Sequence, residues 1–182
     1  MKSIILIFFL ILISGHRAWG QAYIDAARRL ITNADSVILI SHVATEENHD
    51  KPEGIVLPTG IFDDTKLMVF PSFFVGEDIN QAIIVQRQFL PRQDVVALAK
   101  IIQRPVKKSR FGYLPLCFEP HHAILIYNKG RFSYIDLCFH CSGLVTSSDL
   151  KLTNMDFKDG KWKDMKAFFL KHRLTYEMED KH

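Results

Sequence analysis

Three cysteines, two tryptophans and a near balance of charge, with 23 Lys+Arg against 20 Asp+Glu in 182 residues, remove several protein classes at once. Three cysteines are too few for a disulfide-dense scaffold, and a chain of this length buries a sound core without one. Beyond the amino terminus no run approaches eighteen consecutive apolar residues, so no membrane-spanning segment is expected in the mature chain. Phosphate-binding glycine loops, dinucleotide fingerprints, nucleophile elbows and His-Glu-x-x-His helices are all missing. The charged fraction of 24% and the 14 phenylalanines exclude a disordered or low-complexity chain.

What is present begins with a targeting signal. Lys2 precedes an unbroken apolar run from Ile4 to Ile13, and Ala18-Trp-Gly20 offers small residues before a cleavage bond to Gln21. Residues 1–20 therefore read as a secretory signal peptide and 21–182 as one domain that is secreted or periplasmic. Removing Lys2 and Arg17 leaves 21 basic against 20 acidic residues, so the formal charge falls from +3 to +1. The remaining basic cluster, Arg104, Lys107, Lys108 and Arg110, is broken by Pro105 and has no interleaved aromatics. Nucleic acid is rejected as a partner on that ground, and an unidentified ligand or protein is expected instead.

Periodicity predicts a helix over 21–34, a buried strand over 36–42 and a long polar loop over 43–60. Residues 66–75, interrupted by Pro71, read as an edge strand or two short pieces, and 81–88 as strand or helix. A helix follows Pro91 to about Gln103. A second starts near Asp159 as its N-cap, with Trp162, Met165, Phe169 and His172 on its buried stripe. Residues 175–178 suit a short closing strand. About three helices with mostly antiparallel strands, and no βαβ alternation, make an α+β domain.

The best-defined unit is a hairpin. His122–Tyr127 and Arg131–Leu137 are β-rich runs joined at Asn128-Lys-Gly130, where glycine supplies positive φ. With Lys129-Gly130 as a two-residue turn, Tyr127 faces Phe132 and His122 faces Leu137. A bulge at Gly130 would instead oppose His122 to Asp136. The first register separates aliphatic residues more cleanly and is the one expected.

All three cysteines, Cys117, Cys138 and Cys141, lie in this region with His121, His122, Asp136 and His140. Three chemistries compete for them. A disulfide from Cys117 to Cys138 or Cys141 would suit an exported protein and stabilise it by ~3 kcal/mol. A zinc site could use Cys138-x-x-Cys141 with Cys117 and one of His121 or His122. Redox chemistry at Cys138-x-x-Cys141 lacks the helix N-terminus that usually lowers a thiol pKa. Asp136 could orient a histidine, and His140 between two cysteines could simply face solvent. His121 and His122, adjacent on a strand, point to opposite faces. A second polar cluster, His42, Glu46, Glu47, His49 and Asp50, offers cation ligands without a spacing motif and reads as a solvated loop.

Leu116-Cys-Phe-Glu-Pro-His-His-Ala-Ile-Leu-Ile-Tyr127, followed by Tyr134-Ile-Asp-Leu-Cys-Phe-His-Cys141, resembles a group of small exported bacterial proteins. They share Cys-x-x-Pro, a His/Arg position, a hairpin, and a closing Cys-Phe-x-Cys. The similarity covers roughly Pro91 to Met178. It implies bacterial export and a Cys/His cluster acting as one unit, with His122 a better ligand than His121, and it carries no activity. Two functions stand open: a non-enzymatic binding or envelope protein with a structural disulfide or zinc site, or a metal- or thiol-dependent enzyme using Cys117, His122, Cys138 and Cys141.

Overall fold

The computed structural model describes residues 24–45, 71–106 and 118–178. Residues 1–20, where a signal peptide is expected, the cluster Glu46, Glu47, His49 and Asp50, the basic residues Lys107, Lys108 and Arg110, and Cys117 lie outside them. The first helix, α1, is described over residues 24–32. It is followed by β1 (Ser36–His42), the short strands β2 (Phe74–Val75) and β3 (Asp78–Ile79), and β4 (Ile84–Phe89). Then come α2 (Arg92–Gln103), β5 (His122–Asn128), β6 (Arg131–Cys138), β7 (Gly143–Thr146) and α3 (Asp159–Lys171).

Five strands form one antiparallel sheet in the order β4-β1-β5-β6-β7, and β2 pairs with β3 separately. The result is a single α+β domain. Strand β1 sits between β4 and β5 and is covered on both sides, which explains its continuous apolar run Val37-Ile-Leu-Ile40 in place of alternation. Val37, Leu39, Ile124, Ile126, Ile135 and Leu137 face the helices, meeting Ile31 of α1, Leu98 and Ile102 of α2, and Met165 and Phe169 of α3. The opposite face presents Ile38, Ile40, Ala123 and Leu125, covered by Phe73, Ile79 and Ile83 from the segment before β4. Among the described residues no helix is long and apolar enough to cross a membrane.

The hairpin β5–β6 has the expected register, with Asn128 opposite Arg131, Tyr127 opposite Phe132 and His122 opposite Leu137. Its turn residues Lys129 and Gly130 have φ of 50° and 75°, the pair of positive values a type I′ turn requires. A glycine at the second position makes that affordable, while Lys129 is held there by its backbone N–H, which donates to Asp35 Oδ2 at 2.6 Å.

Two local expectations change. Residues 175–178 form no strand. The amide oxygen of Gln86 instead accepts the backbone N–H groups of Thr175 and Tyr176, at 2.9 and 3.0 Å, so these donors are satisfied by a side chain, not by a ladder. At α3 the N-cap is Lys158 and Asp159 is the first helical residue. Lys161 and Trp162 N–H then both bond the Lys158 carbonyl, which starts the helix one residue earlier than the Asp159 cap implied.

Candidate functional site

The sheet separates the hairpin's chemical groups into two environments. Strand alternation sends His122 and Leu137 to the helix side, and His121, Asp136 and Cys138 to the other. His42, at the end of β1, joins this second group: its backbone N–H bonds the His121 carbonyl at 2.9 Å.

His42 and Asp136 are both fully buried, and Nε2 of His42 lies 3.1 Å from Oδ1 of Asp136. The other ring nitrogen, Nδ1, lies 2.8 Å from the Val43 carbonyl. A carbonyl accepts hydrogen bonds, as does an ionised carboxylate, so with Asp136 ionised both ring nitrogens donate and the imidazole is the cationic form. Burial opposes that charge, yet the hydrogen bond and negative charge of Asp136, helped by Val43, outweigh it and raise the His42 pKa above its ordinary value. Oδ1 of Asp136 also accepts the Leu137 N–H at 3.0 Å. With both nitrogens occupied as donors, His42 has no lone pair with which to accept a proton from a substrate. Phe73 caps its ring edge-on at 5.3 Å.

His121 belongs to the same side. Its Nδ1 donates to the His42 carbonyl at 3.2 Å, and Nε2 stands 3.6 Å from Glu119 Oε1. Tyr176 meets the ring in a T-shaped contact. The sequence pattern paired Asp136 with a nearby histidine only in general terms and assigned His42 to a different cluster. A carboxylate alternating with Phe132 and Tyr134 on a covered strand face was the available signal, because a buried charge requires a partner.

On the helix side His122 is 1% exposed and wedged between the rings of Phe139 and Phe169, at 5.0 and 5.6 Å. Its Nε2 has no hydrogen-bond partner among the described residues. Burial, reinforced by the neighbouring imidazoles of His42 and His121, pushes its pKa down to about 3, against the opposing influence of Asp136 and a backbone hydrogen bond at Tyr176. His122 is therefore neutral and part of the core.

The cysteines follow from the turn between β6 and β7. Cys138 pairs with Gly143 across the ladder, leaving Phe139-His-Cys-Ser142 as a four-residue loop. Cys138 and Cys141 stand at disulfide distance with Cα atoms 5.6 Å apart, so the bridge closes this turn and not the longer loop from Cys117. The Cys141 N–H donates to Cys138 Sγ at 3.2 Å. Cys138 is buried, Cys141 half-buried and His140 exposed. Phe139, the residue between, packs against Trp162 and Phe169 at 6.1 and 5.3 Å. The bridge thus pins the turn that inserts Phe139 into the helical core. Of the four leading candidates the structure brings Cys138 and Cys141 together and places His122 across the sheet from them, while Cys117 lies outside the described residues. Among the described residues no three His, Cys, Asp or Glu side chains group so as to hold a metal ion.

No protein-family model, no curated protein and no solved structure matches this chain.

Proposed function

We propose that the protein is exported, to the periplasm or beyond, and acts as a non-enzymatic binding protein whose Cys/His hairpin is structural. The observation that carries this reading is the expenditure of the hairpin's reactive groups within the fold. Cys138 and Cys141 close a turn, His42 and Asp136 neutralise one another in the interior, and His122 is enclosed by phenyl rings. Binding proteins use such groups as framework and present other surfaces to ligands. An oxidising compartment fits both the bridge and the apolar leader at residues 4–13. The resemblance to small exported bacterial proteins points the same way.

The test is intact mass, thiol alkylation and metal content of material recovered from the periplasm or medium. The expected species begins at Gln21, lacks the mass of two hydrogens, and alkylates at one cysteine, Cys117. A chain that retains residues 1–20 overturns export. Stoichiometric zinc with three thiols released only by denaturant replaces the disulfide with a metal site.

A further inference from the structure

Far from the cysteines, where the end of α1 meets the β5–β6 turn, lies a cavity of about 400 Å³. Leu30 provides an apolar wall, and Asn33, Asn128, Lys129, Arg131, Ser133 and Asp149 line the rest. Such a volume is at the small end of ligand pockets, which combine an apolar surface with a few convergent polar groups.

The side chains are arranged with unequal commitments. Ser133 is buried, and its hydroxyl donates to Asp149 Oδ2 at 2.6 Å, which fixes the carboxylate at the cavity edge. Asn33, Asn128, Lys129 and Arg131 have no side-chain hydrogen bond or ion pair to other described residues. Asn128 and Arg131 are directly opposed across the turn, so an amide and a guanidinium lie on one face and both line the cavity. Lys129 occupies a left-handed position, φ 50°, where asparagine or glycine costs less. Asp35 maintains that conformation through the Lys129 N–H. Lys129 and Arg131 thus place two cations at the rim of one cavity, where both can face an anion.

Deepening the binding reading above, we propose that this cavity takes a small amino- or hydroxy-carboxylate. Arg131 offers two parallel N–H groups matched to a carboxylate, with Lys129 as the second positive charge. Asp149, its position set by Ser133, accepts from the ligand's ammonium or hydroxyl group. The amides of Asn33 and Asn128 serve the remaining polar atoms, and Leu30 packs against the carbon skeleton.

Calorimetric titration of the mature secreted chain with L-glutamate, citrate and glucose, in a buffer free of carboxylates, tests this. Saturable binding of glutamate or citrate and none of glucose is expected. Arg131→Gln is expected to weaken it about tenfold, equivalent to ~1.4 kcal/mol. Lys129→Asn separates recognition from folding: affinity falls while Tm rises, because asparagine relieves the turn. Binding that neither substitution weakens, preferential binding of glucose, or no saturable binding of either acid up to about 10 mM overturns the proposal. Those outcomes leave the leader cleavage and disulfide measurements untouched, so the two readings fail separately.

Discussion

His42 and Asp136 are 94 residues apart in the chain and 3.1 Å apart in the fold, with strand β5 between the strands that carry them. The pairing follows from register. Ile40 is opposite Ala123, and Ala123 is opposite Asp136, so His42, two residues beyond Ile40 on the same face, reaches diagonally across β5. The ion pair therefore clamps three strands of the central sheet.

Removing one partner of that pair leaves a buried charge alone. Asp136→Ala is expected to destabilise the domain by about 3 kcal/mol or more. Asp136→Asn costs less, since the amide oxygen still accepts from His42. Urea denaturation near pH 6 measures both; equal midpoints for Asp136→Ala and the parent would remove the clamp from the account of stability.

The two buried histidines bend the pH profile in opposite directions. His42 has a raised folded pKa, so its contribution is complete below pH 6.5 and is lost as pH rises through the higher folded value. His122, pushed down to about 3, binds its proton only in the unfolded chain between pH 6.5 and 3. Stability falls on acidification there by up to ~1.4 kcal/mol per pH unit from this group. His172, whose pKa burial also lowers, adds to the same acid limb. Thermal melts across pH 4 to 9 are expected to peak near 6.5. His42→Gln should flatten the alkaline limb and His122→Phe the acid one; unchanged limbs would contradict the assignments.

The local half of this structure is legible in the sequence, and the reason is local chemistry. Asn128-Lys-Gly130 specifies a tight turn, and the turn sets the β5–β6 register with no reference to the rest of the chain. The aliphatic stripe of α2 and the largely aromatic stripe of α3 are equally self-contained. The partner of His42 is set by how β1 inserts between β4 and β5, and nothing in residues 36–42 encodes that order. The disulfide pairing is not encoded locally in the same way. Loop-closure arithmetic favours the long Cys117 loop, but geometry decides, and the β6–β7 turn brings Cys138 and Cys141 to 5.6 Å between Cα atoms.

That short closure limits what the bridge contributes. A loop with a sequence separation of three gives about 2 kcal/mol in the chain-entropy model, against ~3 for the longer loop. Cys141→Ser is expected to fold, to lose about that amount in urea denaturation, and to change near-ultraviolet dichroism as Phe139 loosens beside Trp162. A variant that cannot fold at 25 °C would show that the turn, and not the core, limits stability.

Lys161 offers the sharpest contrast, a lysine only 1% exposed on the first turn of α3. Its Nζ donates to the carbonyls of Ile102 and Asp156, at 2.8 and 2.6 Å, and lies 4.8 Å from the centre of the Phe157 ring. It thereby satisfies an orphan carbonyl in the last turn of α2 and ties that helix to α3. Burial lowers its pKa to about 8, with Asp156 opposing and Arg104 adding. Between pH 8 and 10.5 the unfolded chain then holds the proton that the folded chain has released, so this group favours folding increasingly as pH rises. Lys161→Met keeps most of the buried stem but leaves both carbonyls without their donor. A loss of about 1–2 kcal/mol at pH 7 is expected, the orphaned acceptors outweighing relief of a buried charge. The alkaline contribution should vanish with it. A Met variant more stable than the parent at pH 7 would mean that the buried ammonium costs more than its two hydrogen bonds return.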